Sequence, residues 1–256
     1  MQDTPRIEAI DRALALLIAL AAAGPLGSSL SELSGQTGVN KSTAYRALST
    51  MRGRGFATQS VDGATYRLGP AAMSLGAAFV TPENLAESLH PVLVAVSRAS
   101  DELVHLGVWV DDHVLYIDKV EPARAIRVWS SVGQRVPIAT SALGRAMLAA
   151  RNVDEEQQKL YLQPLGAERR VTAERLRAAV RQARRRGYST ELEENEPGIA
   201  CLGTAIMRGN HVVAALSITA PSERMTSRRQ VELAELIRNA VPPLLPDGLS
   251  LMPVGG

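Results

Sequence analysis

The chain has 256 residues, of which 46% are apolar and 21% charged. That is the balance of a folded globular protein rather than a disordered one, and the length suits one large domain or two modest ones. Its single cysteine, Cys201, excludes an intrachain disulfide framework and fits a reducing compartment. The net charge of +2 says little about partners, but its distribution says more. Residues 1–69 carry seven basic and five acidic side chains, and the remainder carries twenty-one of each. Between Asn40 and Gly55 stand Lys41, Arg46, Arg52 and Arg54 with no acid. Such a positive stripe is a footprint for phosphate, although a solvated helix face has the same charge.

The apolar run Ala13–Ala23 looks at first like a secretory signal. Asp3, Glu8 and Asp11 precede it, so it lacks a clean basic leader, and it is too short for a bilayer, which needs roughly 20 residues. It reads as a buried helix in which Ile7, Ile10, Leu14, Leu17 and Ile18 recur at helical spacing. Ala23-Gly24-Pro25 ends that helix. Ser29 or Ser31 caps a second helix over Leu30–Thr37, broken by Gly38, and Asn40 caps a third that runs to Met51 or Arg52. Asp62-Gly63 between two β-prone runs then predicts a hairpin with a tight I′ turn.

Gly69-Pro70 marks a boundary, followed by a connecting helix over Ala71–Phe79. Thr81-Pro82-Glu83 has the form of a helix start, and Pro91 predicts two helical pieces before Ser100. Strands are expected over Leu103–Val110, Val114–Val120, Ala125–Ser130, Ile199–Met207 and Val212–Thr219. Helices are expected over Ser141–Ala150, Asp154–Tyr161, Thr172–Arg186 and Ser227–Leu244. Hairpins outnumber βαβ units, which favours an antiparallel sheet with helices packed on it and an α+β class.

Leu30 to Ser49 reads as a helix-turn-helix. Ser34 and Gly35 are small residues where the second helix can pack, and Gly38 makes the turn. In the third helix Ala44, Ala47, Leu48 and Met51 form an apolar face at i, i+3, i+4, i+7, while Ser42, Tyr45, Arg46 and Ser49 occupy the opposite side. Arg46 can present two donors to guanine, Lys41 and Thr43 suit the phosphate backbone, and Arg67 on the wing suits the minor groove or backbone. An ordinary amphipathic helix has the same two faces; the hairpin directly after it completes a wing and favours DNA.

Several segments together resemble the IclR family of bacterial transcription regulators over about residues 5 to 245. They are Lys41-Ser-Thr-Ala-Tyr-Arg-Ala-Leu, Tyr66-Arg-Leu-Gly, Val114-Leu-Tyr-Ile-Asp-Lys-Val, Gly133-Gln-Arg-Val-Pro followed by Ala142-Leu-Gly-Arg-Ala, Arg186-Gly-Tyr, Glu193 with Glu194, Glu196-Pro-Gly-Ile-Ala-Cys and Val212-Val-Ala-Ala-Leu-Ser-Ile. The resemblance implies an N-terminal winged helix-turn-helix (1–69), a linker helix region (70–88) and a C-terminal GAF-like effector-binding domain (89–246). The tail 247–256 is expected to be disordered. It further implies a cytoplasmic homodimer or homotetramer on a palindromic double-stranded DNA operator, with a small organic, sugar or aromatic acid from a catabolic pathway as effector.

Carried over residue by residue, the effector positions are Thr140, Ser141, Ala142, Glu191, Cys201, Ser217 and Thr219, and the DNA-contacting ones are Lys41, Ser42, Thr43, Tyr45, Arg46 and Arg67. Their chemistry suits those roles. Hydroxyls and free N–H groups at a helix start hold a carboxylate, and Ser217 and Thr219 share one face of a strand. Glu191 can accept from a ligand hydroxyl, and Cys201 is a small, soft wall. The bland readings are a helix cap for Thr140 and Ser141, a small core residue for Cys201 and ordinary strand residues for Ser217 and Thr219. Two positions depart from many relatives: Ala139 stands where a histidine or tyrosine is common, and Glu191 where an aspartate is common. Trp109 and Trp129 suit either the pocket or the core.

An enzyme and a pure interaction module are the competing classes. No Gly-x-Ser-x-Gly elbow, phosphate-binding loop or dinucleotide fingerprint is present. His90, His105, His113 and His211 are scattered, and Asp111-Asp112-His113 reads as a solvated turn. Glu191, Glu193, Glu194 and Glu196 read as a solvated or inter-subunit acidic loop. No cofactor or metal is expected, and neither a catalytic role nor membrane association.

Overall fold

The computed structural model describes residues 7–79, 85–123, 130–162 and 171–255. Two compact units divide the chain, Met1–Pro82 and Glu83–Gly256. The expected helix start at Thr81-Pro82-Glu83, most of the strand over Ala125–Ser130, and Trp129 lie outside the described residues.

The first unit contains α1 (Glu8–Ala22), α2 (Leu30–Thr37), α3 (Lys41–Gly53), β1 (Ala57–Gln59), β2 (Tyr66–Leu68) and α4 (Ala71–Phe79). A reciprocal capping box starts α2: Ser29 Oγ accepts from the Glu32 N–H and Glu32 Oε2 accepts from the Ser29 N–H. Gly38 ends it at φ 69°, and Asn40 caps α3 by accepting from the Thr43 N–H at 2.9 Å. Ser34 bridges the turn to the Val39 carbonyl at 2.6 Å. Gly35, by contrast, faces open space, so close packing is not its role. Leu16, Leu20, Leu33, Val39, Ala44, Leu48, Met51, Ala57 and Tyr66 form the core.

Two expectations need correction here. The buried side of α1 is built on Leu16 and Leu20, with Ala13 and Leu17 partly covered. Ile7, Ile10, Leu14 and Ile18 are 66%, 54%, 53% and 70% exposed. A helix that is apolar nearly all round has no single periodic face to read. The wing turn is also looser than a two-residue I′ turn. Only Gly63 of the Asp62-Gly63 pair has positive φ, and bonds from Gly63 N–H to Ser60 O and from Ser60 N–H to Thr65 O close a longer loop. Asp62 caps that loop by accepting from the Ala64 N–H.

Among the described residues the second unit is an antiparallel seven-stranded sheet with helices on both faces. Its elements are α5 (Leu85–Ser100), β3 (Leu103–Val110), β4 (His113–Val120), β5 (Arg135–Pro137), α6 (Ala142–Ala150), α7 (Glu155–Leu160), α8 (Ala173–Arg186), β6 (Ser189–Leu192), β7 (Ile199–Arg208), β8 (His211–Pro221), α9 (Ser227–Ala240) and β9 (Leu249–Leu251). Strand order is β5-β4-β3-β8-β7-β6, with β9 also on β7. Alternation sorts the strand residues between two cores. Val104, Leu106, Leu202, Ile206, Leu216 and Ile218 pack with α5 and α9. The opposite face lies under α6 and α8, where Ala205, Met207 and Ala215 join Leu143, Met147 and Val180.

The helix α5 runs unbroken through Pro91. Proline removes one donor but its fixed φ is helical, and burial of Leu89, Val92, Leu93 and Val96 on both sides of it holds the element together. The C-terminal residues are ordered rather than a disordered tail. Leu249–Leu251 pairs with Ile206–Arg208, Met252 is buried and donates to the Ala205 carbonyl, and Gly255 donates to Arg184. The free edge of β7 beyond β6 supplies the partners. The helix expected over Ser227–Leu244 stops at Ala240 because Pro242 and Pro243 follow in a 3-10 turn. Among the described residues no helix is long and apolar enough to cross a membrane.

Gly144 lies inside α6 with its Cα against the Ile138 backbone. Alanine would favour the helix by about 1 kcal/mol at an open site, yet here its methyl would collide with the Ile138 carbonyl. Gly144→Ala is therefore expected to destabilise the protein by about 1–3 kcal/mol, read as a lower midpoint in thermal or urea unfolding.

Candidate functional site

On α3 the buried side chains are Ala44, Leu48 and Met51, which fix the helix against the core. Lys41, Ser42, Tyr45, Arg46 and Ser49 are exposed on the other side, and Thr43 is half-buried with its N–H held by Asn40. The one acid nearby in sequence, Glu32, is occupied in the α2 capping box, whose hydrogen bonds lower its pKa. The helix therefore presents donors, an aromatic ring and positive charge without a competing carboxylate. Arg52 reaches the wing by donating to Gln59 at 2.5 Å. Arg67 is exposed on β2, opposite Thr58. All six residues singled out for DNA thus stand on α3 or the wing, and none is in the core.

In the second unit the sheet face below α6 gathers polar side chains into one neighbourhood. Register sets Glu191 opposite Cys201, Cys201 opposite Thr219, and His105 opposite Ser217. All except Cys201 are buried, as are Thr140, Ser141 and Ala142 at the start of α6. The Ser141 hydroxyl caps α6 by accepting from the Gly144 N–H at 3.1 Å. Gly203 lets the helix start lie on the sheet: a Cβ there would sit 3.0 Å from the Ala142 carbonyl. Ser189 Oγ also donates to that carbonyl.

Glu191 is the most informative member. Its Oε1 accepts from the N–H groups of Glu194 at 2.6 Å and Asn195 at 3.1 Å. Its Oε2 is buried with no hydrogen-bond partner. Burial outweighs those two bonds, the Arg145 charge and a bond from the Cys201 thiol, so the pKa is raised. Burial likewise pushes the Cys201 thiol up, so it is a neutral hydrogen-bonding wall, 3.3 Å from the Thr219 hydroxyl.

Sequence reading missed four groups on this face. His105 bonds through Nδ1 to Thr219 at 3.2 Å and through Nε2 to Ser130 at 2.8 Å, and stacks on Tyr116 with centroids 4.4 Å apart. Lys119 donates to the Ser130 carbonyl at 2.6 Å and pairs with Glu121. A histidine between the apolar residues Val104 and Leu106 of a strand was the available signal. The acidic loop also needs correction. Glu194 is buried and paired with Arg145 and Arg175, and Glu191 is buried, so neither belongs to a solvated loop. Trp109 lies apart from this polar cluster, beneath the Arg151 guanidinium at 4.1 Å and edge-on to Tyr161. Among the described residues no three His, Cys, Asp or Glu side chains come together as a metal site.

Both units match family models. Residues 9–60 match the IclR helix-turn-helix domain, and residues 77–243 match the C-terminal domain of the bacterial transcriptional regulator IclR. The chain is 32% identical over 215 residues to the HTH-type transcriptional regulator KdgR of Escherichia coli, covering 82% of each protein. It is similar to the crystal structure of the Thermotoga maritima IclR, with a TM-score of 0.74 and 25% identity over 93% of this chain and 98% of that one. An IclR homolog from Microbacterium hydrocarbonoxydans complexed with 4-hydroxybenzoate shares the fold, with a TM-score of 0.72 and 23% identity over 92% of this chain and 100% of that one.

The raised pKa of Glu191 has a sign that can be checked. A carboxyl that holds its proton more tightly when folded lowers stability as pH rises from its unfolded value through its folded value. Below that window the penalty is absent. Glu191→Gln keeps an acceptor for the two N–H groups and removes the buried charge. Its melting temperature is therefore expected to gain more on the parent above that window, in alkaline buffer, than below it, in acidic buffer.

Proposed function

The chain belongs to the IclR family of bacterial transcriptional regulators, and from that premise we propose how its own residues divide the work. It is a DNA-binding regulator with a C-terminal effector-binding domain. In our reading α3 enters the major groove. Arg46 reads a base edge, Ser42 and Tyr45 contact bases or sugar, Lys41 and Thr43 hold phosphates, and Arg67 contacts the backbone beside the wing. The carrying observation is the exposed face of α3, which holds Lys41, Ser42, Tyr45 and Arg46 and no acid.

The effector lies against Thr140, Ser141, Ala142, Glu191, Cys201, Ser217 and Thr219, and it is a small organic, sugar or aromatic acid. The unpartnered Glu191 oxygen and the hydroxyls around it support a ligand that brings its own donor as well as an acid group. The structural neighbour's 4-hydroxybenzoate carries both groups. The protein works in the cytoplasm as a homodimer or homotetramer on a palindromic operator. The exposed stripe Ile7, Ile10, Leu14 and Ile18 on α1 suits burial against a second copy. Effector binding shifts the population of arrangements of paired DNA-binding domains, which changes half-site spacing and operator affinity. The effector leaves unchanged.

Arg46→Ala is expected to weaken specific operator binding about 10- to 100-fold while leaving the melting temperature unaltered, because a bidentate base contact is worth about 1–3 kcal/mol. Equal affinity in a gel-shift titration against the operator would remove Arg46 from base recognition. Ser217→Ala combined with Thr219→Ala is expected to weaken effector binding about tenfold or more, each lost bond contributing about 0.5–1.5 kcal/mol, with operator affinity in the absence of effector unchanged. Calorimetry with an acid found by thermal-shift screening reads the first effect, and gel shift reads the second.

A further inference from the structure

His105 is the buried titratable group on the effector face that no role above uses. It is 1% exposed, and each ring nitrogen meets a hydroxyl, Ser130 on one side and Thr219 on the other. A neutral imidazole has one donor and one acceptor, so it fixes the direction of both hydroxyls. If Thr219 donates inward to the ring, it has only lone pairs left for a ligand. An imidazolium donates from both nitrogens, so Thr219 accepts from the ring and turns its own O–H outward. The neutral tautomer with its proton on Nδ1 also frees that O–H, but only the imidazolium adds the positive charge that favours an anion.

We propose that His105 is a positioning residue of the effector site: it takes a proton from solvent when a carboxylate effector arrives, and thereby aims the Thr219 hydroxyl at that carboxylate. The proposal rests on the reading of this face as the effector site. The surroundings of His105 keep it neutral beforehand. Burial, and then the Lys119 ammonium on β4, lower its pKa to about 4. Among the described residues the other titratable groups nearby are Tyr116 on β4 and, beyond Thr219, Cys201 on β7 and Glu191 on β6, with Glu196 acting on Tyr116 and Cys201 from further off. Burial raises the pKa of Tyr116, Cys201 and Glu191, so the first two stay neutral near pH 7 and supply no counter-charge. Lys119 is itself paired with Glu121. Among the described residues no carboxylate contacts the imidazole, and a bound carboxylate effector supplies that charge. An opposite charge close by raises a histidine pKa by about 1–3 units, which brings it into the range where proton uptake is measurable.

The test uses the full chain with acetate, gluconate and 4-hydroxybenzoate as probes, and 4-hydroxybenzamide as the uncharged analogue. Calorimetry in two buffers of different ionisation enthalpy counts the protons taken up on binding. A carboxylate probe is expected to bind with uptake of up to one proton, and its affinity to rise by up to tenfold per pH unit between about pH 7 and about pH 5. The amide is expected to bind without uptake. His105→Gln spans the same two hydroxyls but cannot hold the proton; its pH slope is expected to vanish while affinity near pH 7 stays within about threefold. Should that variant fail to fold, Lys119→Met serves instead. Removing the cation raises the proton affinity of the free imidazole and moves the pH slope upward.

Carboxylate binding without proton uptake overturns the proposal, and so does uptake that survives His105→Gln but disappears in Glu191→Gln. No binding by any carboxylate probe overturns the ligand class. If a probe binds equally well after Ser217→Ala with Thr219→Ala, the effector-face reading itself has failed, which is a separate result.

Discussion

The C-terminal unit depends on one buried cation. Arg145 is 2% exposed on α6, and its guanidinium donates to the Ala139 carbonyl before the helix, to the Thr190 carbonyl on β6 and to the Glu194 carboxylate in the loop after β6. The start of α6 is tied to the β6 end and the loop after it, more than 40 residues on, through one planar group, whose fork of donors fits that task better than a lysine ammonium. Burial works against its charge and lowers its pKa, while Glu194 supports it. Leaving either partner of such a pair alone in the interior costs about 3–5 kcal/mol. The pair is therefore a strong constraint on geometry, whatever its net contribution to stability.

That constraint reaches the polar face directly. With Glu194 anchored, the Glu194 and Asn195 N–H groups point at Glu191 Oε1, which orients the carboxylate and leaves its other oxygen facing the interior. With Ala139 anchored, Thr140 and Ser141 are held at the start of α6. The two glycines Gly144 and Gly203 then let that helix start approach the Ile138 backbone and β7 more closely than a side chain allows. The sheet contributes the rest by alternation, since the side of β8 that carries Ser217 and Thr219 is opposite the side that buries Leu216 and Ile218 in the other core. A rigid frame with a few oriented polar groups is what discrimination among small acids requires.

How much of this was legible in the sequence follows from which signals are local. The α2–α3 turn was readable because capping and glycine chemistry act over three or four residues, and Ser29, Gly38 and Asn40 each do what their type favours. The long strands β3, β4, β7 and β8 announced themselves through apolar runs bounded by turns. The three- and four-residue strands β5 and β6 did not, because they are too short to show alternation. The exposed stripe of α1 was misjudged because Ala and Leu surround the whole helix. The tail was misjudged because its strand exists only where the edge of β7 is free, a tertiary fact. The hydroxyl and carboxylate residues of the candidate site come from the family pattern. His105 and Arg145 do not, since their importance lies in partners 25 to 114 residues away.

In the proposed reading, the polar face links effector binding to the conformation of the domain through Glu191. A buried acceptor left unsatisfied costs about 1–3 kcal/mol, and Glu191 Oε2 has that character in the free protein. A ligand that donates to it recovers this energy on binding, in addition to its own contacts. The recovered energy goes to whichever arrangement of the domain accommodates the ligand, and only that difference shifts the equilibrium. One to three kcal/mol corresponds to a factor of about 5 to 150 in affinity between two sites, the usual range of coupling in regulated proteins. In the proposed reading, a buried oxygen without a partner in the free state couples the effector to the domain through the loop that carries Glu194 and Asn195. The loop's hold on both Arg145 and Glu191 gives it that opportunity.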